Sequence, residues 1–187
     1  MNLIPLEERH VVDFLNWEDH TDPLYAMYNF EETAETIGEW YQWKTEDKRD
    51  LYYAIMEKSR AVGYIGLKNI SPITRKGEVG IIIDRAEMGK GYGKEAMEEL
   101  LRLGFEELKL ETLYLEVLPW NERAIKLYKK MGFQKTTAIF RPVDLPEDEK
   151  SLRAFMPYKD KIRKGRSYSA VLVDHMELTK GVWRRGI

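Results

Sequence analysis

Three glycines alternate at Gly89, Gly91 and Gly93 in the run Met88-Gly89-Lys90-Gly91-Tyr92-Gly93-Lys94. An apolar helical period follows at once through Ala96, Met97, Leu100, Leu101, Leu103 and Leu108. Small residues let a backbone approach a ligand closely, and the first N–H groups of a new helix have no partner within it. A turn of this kind is an anion site, and phosphate is the anion it suits best. Its spacing is not that of the dinucleotide fingerprint G-x-G-x-x-G. Gly93-Lys94 resembles the end of a phosphate-binding loop of nucleotide triphosphatases, but Glu95 stands where Ser or Thr would hold magnesium. Nucleotide triphosphate chemistry is therefore disfavoured.

About twenty residues on, LYLEVLPWNERAIKLYKKMGF supplies side chains that can move protons. Asn121, Ala124 and Tyr128 fall at i, i+3 and i+7, so an amide and a phenol share one helix face with a small residue between them. Two strand carboxylates, Glu116 and Glu78, are the candidate bases. Tyr25, Tyr28, Trp40, Tyr41, Trp43 and Trp120 are aromatics that can wall a pocket, with Tyr28 and Trp120 the preferred pair for substrate. At most of these positions the competing reading is packing.

The elements that must carry these residues can be traced along the chain. A short strand around Leu3 and Ile4 precedes a helix from about Glu8 to Trp17, and a second helix covers Thr33 to Trp43. Leu51 to Lys58 and Val62 to Ile70 read as strands joined by a turn at Ser59-Arg60. Gly77 to Asp84 is a third strand, whose Ile81-Ile82-Ile83 suits burial on both faces. The helix after Gly91, a strand Leu113 to Leu118, a helix Asn121 to Met131, a strand Phe133 to Phe140 and a strand Tyr168 to Leu178 complete the order. Arg141 to Arg166, with three prolines and alternating charge, is an insertion that reads as a lid, a dimer contact or a mobile loop. The ending from Gly181 to Ile187 reads as a frayed tail.

Two of these segments resemble the signatures of the GCN5-related N-acetyltransferase (GNAT) superfamily. The first signature is (Gln/Arg)-x-x-Gly-x-(Gly/Ala) at a strand-to-helix turn. Met88 to Gly93 matches its glycines, with Met88 in place of the usual Gln or Arg. The second is a strand, an Asn, and a helix ending in Leu-Tyr-x-x-x-Gly-Phe, matched by Asn121, Tyr128, Gly132 and Phe133. The flanking IPLEERHVVDFLNWE and GRSYSAVLVDHMELT look most like the ribosomal-protein alanine and spermidine N-acetyltransferase branch. The resemblance implies an α/β GNAT fold with a mixed central sheet of about seven strands, a splayed central strand pair and flanking helices. It implies an enzyme that moves an acetyl group from acetyl-CoA to a primary amine.

The resemblance also assigns residues. Acetyl-CoA would be held by Ile81, Ile82 and Ile83, whose strand offers a backbone N–H to the thioester carbonyl, by Gly89, Lys90, Gly91, Tyr92, Gly93 and Lys94, and by Asn121, Ala124 and Tyr128. Tyr128 would be the general acid for the departing thiolate. Glu116 matches the glutamate that ribosomal-protein alanine acetyltransferases use as base, and Glu78 is the second candidate. Tyr28 and Trp120 would face the amine, and no metal is implied. Loss of catalysis would leave a CoA-binding regulatory or scaffold protein, but Asn121 and Tyr128 are both present.

Composition sets the outer limits. At 187 residues and 43% hydrophobic content the chain suits one domain spanning 1–187. It has no cysteine, which excludes disulfides and thiolate chemistry and agrees with a cytoplasmic location. His10, His20 and His175 show no ligand spacing, and no apolar run approaches membrane-spanning length, so no metal and no membrane are expected. Residues 1–50 carry 13 acidic against 4 basic side chains, whereas 151–187 carry 9 basic against 3 acidic. The acidic start can attract a cationic amine such as a polyamine, an aminoglycoside or a protein N-terminus. The basic end allows a nucleic-acid module as a third reading, though no RNA-binding motif supports it. A homodimer remains open.

Overall fold

The computed structural model describes residues 1–186, and the chain divides into two units. The first holds Met1–Asp19 and Tyr28–Leu113. In it the alternating apolar residues of β1 (Asn2–Pro5), β2 (Leu51–Glu57), β3 (Arg60–Ser71) and β4 (Lys76–Ile83) pair in the antiparallel order β1-β2-β3-β4. Glu57 faces Arg60, so the β2–β3 turn is Lys58-Ser59, one residue before the expected pair. Lys58 takes the left-handed conformation at φ 54°, as a two-residue hairpin turn demands.

Helix α1 (Glu8–Phe14) buries Val11 and Phe14 against this sheet, and α2 (Ile37–Thr45) follows a 3-10 turn at Ala26–Tyr28. Phe14 is the hub of an aromatic cluster with Trp17, Phe30, Trp40 and Tyr64. Two polar bonds fix α1 on β3: the Trp17 indole donates to the Ala61 carbonyl at 3.0 Å, and Asp13 accepts the Ala61 N–H at 2.7 Å. Trp40 and Tyr41 therefore belong to packing, and Trp43 is 63% exposed.

Helix α3 (Tyr92–Arg102) buries Ala96, Met97, Leu100 and Leu101 as its period requires. The expected stripe then fails at Leu108. A π turn at Leu103–Glu107 adds a residue to the helical phase, so Phe105 goes inward and Leu108 is left 36% exposed.

The second unit joins residues 20–27 to those from Tyr114 onward. Strand β5 (Thr112–Val117) leads to α4 (Glu122–Lys130), β6 (Gln134–Pro142) and β8 (Ser169–Thr179), with β8 flanked by β5 and β6. The strands among the described residues thus number eight, one more than expected, because the insertion contributes one. Arg141–Arg166 is not a structureless loop. It contains α5 (Glu149–Leu152), a 3-10 stretch at Arg153–Lys161 and β7 (Ile162–Lys164), which pairs with the first residues of β8. Phe155 anchors it by packing edge-on against Trp120 at 5.2 Å. The expected tail opens as a helical turn, α6 (Lys180–Trp183), capped by Thr179, while Ile187 lies outside the described residues.

Lys44 supplies a test of this packing. Its ammonium lies 4.7–5.5 Å from the rings of Trp40, Trp43, Tyr52 and Tyr64. Burial, with repulsion from Lys68 added and attraction to Asp50 opposing it, brings its pKa from 10.5 down to about 8. Loss of hydration thus outweighs the attraction of the rings for a cation. Between these values the unfolded chain binds the proton and the folded one does not, so stability attributable to Lys44 rises from about pH 8 towards 10.5. Buried Tyr64, with its phenol raised to about 12, acts in the opposite direction near pH 10. Only the difference between wild type and Lys44→Met isolates the effect. Urea unfolding across pH 7–10 should show the variant's relative advantage shrinking as pH rises, and a constant difference would remove the burial argument.

Candidate active site

The glycine turn is held from behind by a buried carboxylate. Asp84 directly follows β4 with 1% exposure, pairs with the Arg60 guanidinium, and accepts the N–H groups of Glu18 and Ala86 at 3.0 Å each. It thereby caps the 3-10 turn Arg85–Glu87, where Glu87 reaches Arg60 at 3.4 Å and Lys90 at 2.7 Å. Neither Asp84 nor Arg60 was singled out from sequence. The only signal was an acid directly after an apolar strand.

Beyond this support the backbone turns left-handed at Gly89 (φ 87°) and again at Gly91 (φ 98°). Gly91 is the N-cap of α3, its carbonyl taking the Lys94 and Glu95 N–H groups. A Cβ at Gly89 would meet nothing within 4 Å, and one at Gly91 only Glu95 Oε1 at 3.7 Å. Conformation therefore demands the glycines, and the open space above them leaves room for an anionic group at the positive end of an 11-residue helix. The Lys90 ammonium is committed to Glu87, which raises its pKa, and Lys94 pairs with Glu98 at 2.8 Å on the exposed side. Tyr92 has its phenol raised, first by burial and then by Glu57. Ile81, Ile82 and Ile83 are only half-buried, contrary to the expectation of burial on both faces. The end of β4 beside the turn is thus accessible.

Glu78, on the same strand, is bound by Lys68 Nζ at 2.7 Å and Asn69 Nδ2 at 3.0 Å. Tyr28 ends its 3-10 turn half-buried.

The second unit carries the other candidates. Alternation along β5 sends Leu115 and Val117 into the core and leaves Tyr114 and Glu116 on the opposite face. There Glu116 is gripped by both donors of the Arg141 guanidinium, Nε to Oε2 at 2.7 Å. His175 stacks on Tyr114 at 5.2 Å and lies 3.9 Å from Glu116 and 3.5 Å from Glu177. Arg141 and His175 were missed as site residues because strands distant in sequence bring them to Glu116.

On α4 the Asn121 side chain caps the helix by accepting the Ala124 N–H at 3.2 Å. Tyr128 is 8% exposed on the inner side. Left-handed Gly132 (φ 86°) then folds the chain back, so that the Phe133 N–H reaches the Tyr128 carbonyl at 3.0 Å and its ring lies 6.0 Å from the Tyr128 ring. The Gly-Phe pair is what holds Tyr128 in place. Trp120 is a core residue at 1% exposure, packed by Phe155 and Tyr158.

A strand, a left-handed glycine turn at a helix N-terminus, and a second helix with a capping Asn and a buried Tyr define a class. Residues 1–134 match the family model of the acetyltransferase (GNAT) domain, and the chain belongs to that family. It is 32% identical over 136 residues to the spermidine N(1)-acetyltransferase of Escherichia coli K12, covering 71% of this chain and 72% of that one. The acetyltransferase PseH of Campylobacter jejuni strain 81-176 is 27% identical, over 71% and 82%. The fold is that of the Vibrio cholerae spermidine N-acetyltransferase solved with CoA and spermine, with TM-score 0.71, 20% identity, and 98% and 97% of the two chains covered. The protein is an acetyl-CoA-dependent N-acetyltransferase. These comparisons give the reading as a non-catalytic CoA-binding scaffold no support. No described helix is long and apolar enough to cross a membrane.

Gly91→Val should strain the turn and place a branched side chain where the anion approaches. Acetyl-CoA at about 100 times its dissociation constant should add roughly 2.7 kcal/mol to the wild-type protein. That melting shift should vanish in the variant. An undiminished shift would move the cofactor site elsewhere.

Proposed function

We propose that the acetyl acceptor is a polyamine and that its amine is deprotonated by Glu116 while Tyr128 protonates the departing thiolate. The observation that carries the acceptor class is the 32% identity, over 71% of the chain, to a spermidine N(1)-acetyltransferase. The excess of acidic side chains in residues 1–50 supports it, since a polycation is drawn to such a field.

In this reading the backbone of Gly89 to Lys94, with Asn121 and Ala124, holds the cofactor, and a β4 N–H within Ile81–Ile83 polarises the thioester carbonyl. Tyr128 suits proton donation because a phenol bears no charge in a buried position. Glu116 is preferred as the base because it matches the glutamate of the ribosomal-protein alanine acetyltransferases, with the Arg141 guanidinium and the His175 imidazole beside it. Tyr28 and Trp120 remain the proposed aromatic contacts of the amine. The enzyme is read as cytoplasmic, without a nucleic-acid partner and with a second copy of itself as the macromolecular partner to examine.

An acetylation panel of spermidine, a ribosomal-protein N-terminal peptide and an aminoglycoside, read by mass spectrometry, should show spermidine preferred in kcat/KM. A preference for the peptide would move the enzyme to the protein-modifying branch.

The roles separate by pH. Tyr128→Phe should lower turnover by about 10²- to 10⁴-fold with acetyl-CoA affinity kept. Arg141→Gln should free Glu116 from a guanidinium, strengthen its hold on a proton, and move the acid limb of the rate profile to higher pH. Glu116→Gln should remove most activity at low pH, with Glu78→Gln mild. An acid limb that stays in place in the Arg141 variant would take Glu116 out of the mechanism.

A further inference from the structure

The sheet face that carries Glu116 also holds an imidazole with no part yet in the chemistry. Strand β8 lies beside β5, and its His175 stacks on the Tyr114 ring, with the planes 25° apart and the centroids 5.2 Å apart. The stack leaves the two ring nitrogens facing two carboxylates. Nδ1 lies 3.9 Å from Glu116 Oε1, and Nε2 lies 3.5 Å from Glu177 Oε1. Arg141, on β6, reaches the same Glu116 with a side chain half in water, whereas the His175 side chain is 15% exposed. The remaining charges nearby, Asp174 on β8 and Lys135 on β6, answer each other.

The Nδ1 atom is buried and has no hydrogen-bond partner among the described residues. A buried polar atom left unmatched is costly, and a native structure that keeps one asks for a reason. At rest the ring and Glu116 are too far apart for a hydrogen bond, and both Glu116 oxygens accept from the guanidinium. Once a cationic amine draws that guanidinium away, the carboxyl group is free to turn to Nδ1. Glu177 favours the tautomer with hydrogen on Nε2, which leaves the Nδ1 lone pair towards Glu116. A proton acceptor thus stands directly behind the proposed base. The reaction has a use for it. A cationic amine loses two protons on its way to an amide, one before it attacks the thioester and one from the adduct. A single carboxylate holds one of them at a time.

We infer, on the reading that Glu116 is the base, that His175 is a positioning residue acting through it: Nδ1 holds the protonated Glu116 carboxyl in place and stores the first proton. An ammonium N–H bond breaks as the Glu116 O–H forms, and that O–H breaks in turn as Nδ1–H forms, while Nε2–H stays intact. Glu116 is then a carboxylate again when the adduct must give up its second proton. The imidazolium, between Glu116 and Glu177, replaces the guanidinium as counter-cation. Of the two protons, one makes good what Tyr128 gives to the thiolate. The other returns from Nδ1 through Glu116 to water when the product leaves, and Arg141 closes on the carboxylate again.

Steady-state assays of the full chain test this with spermidine, or with the panel peptide if that turns over faster, since the proton is the same in both. His175→Gln should lower kcat about 10- to 100-fold, short of the loss typical of the base itself, with KM for the amine and the acetyl-CoA melting shift kept. Added imidazole should restore kcat in proportion to its concentration, because a diffusible base can take the first proton from Glu116. A packing defect has no such response. Nitrogen-15 resonances of the wild-type ring, assigned by nuclear Overhauser contacts to Tyr114, should show the neutral imidazole protonated at Nε2, a readout that needs no variant. Full activity in His175→Gln, a loss that imidazole leaves unchanged, or a ring protonated at Nδ1 would overturn the inference. Activity kept in Glu116→Gln removes the base itself and His175 with it. An inactive Glu116→Gln beside a fully active His175→Gln removes the role of His175 alone.

Discussion

The ion pair between Asp84 and Arg60 is the constraint on which the cofactor turn depends. A carboxylate at 1% exposure is tolerable only when its charge is matched and its oxygens are bonded, and here one side chain meets Arg60, the Glu18 N–H and the Ala86 N–H together. Those partners come from β3, from the segment after α1 and from the turn leading to the glycines. Removing one member of such a pair typically costs about 3–5 kcal/mol, because the other is left buried and uncompensated. The left-handed glycines can therefore stay open to solvent, while their position is set by a network on the far side of the turn. Flexibility of residue type is concentrated where the ligand comes, and rigidity immediately behind it.

The second unit solves its positioning problem differently. Tyr128 is fixed by backbone chemistry, through the left-handed Gly132 and the return of Phe133 onto the helix end. Glu116 is fixed by charge, through Arg141. The tyrosine needs only to be held in a dry place, for which packing suffices. A carboxylate on a half-buried strand face needs a partner at rest, and a guanidinium supplies two parallel hydrogen bonds.

What the sequence revealed follows from the range of the interactions involved. The glycine turn, the Asn-capped helix and the Gly-Phe return are local, each complete within about ten residues; the first two could be placed from spacing, and the third from its resemblance to the GNAT signature. The strands were equally legible because alternation is a property of neighbours. Errors arose where the cause was non-local or altered a phase. The π turn at Leu103–Glu107 shifted Phe105 inward at the expense of Leu108. The hairpin slipped by one residue because Lys58 accepts a left-handed conformation that composition does not announce. The insertion gained a strand because β8 had backbone groups to pair, and Phe155 found Trp120. Asp84–Arg60 and Glu116–Arg141 join residues 24 and 25 apart, beyond the reach of any motif.

Both candidate bases are found engaged with cations, and this bears on how the chemistry starts. A carboxylate held by a guanidinium is stabilised in its charged form, so it is a weaker proton acceptor than a free one. A cationic acceptor amine approaching Glu116 competes with Arg141 for the same oxygens. If the ammonium displaces the guanidinium, the carboxylate is released from Arg141 at the moment its substrate is in place, with the amine's N–H directed at its oxygens. Glu78 is likewise held, by Lys68 and Asn69. Arg141 thereby sets the resting state of Glu116 and is part of the base even though it accepts no proton itself.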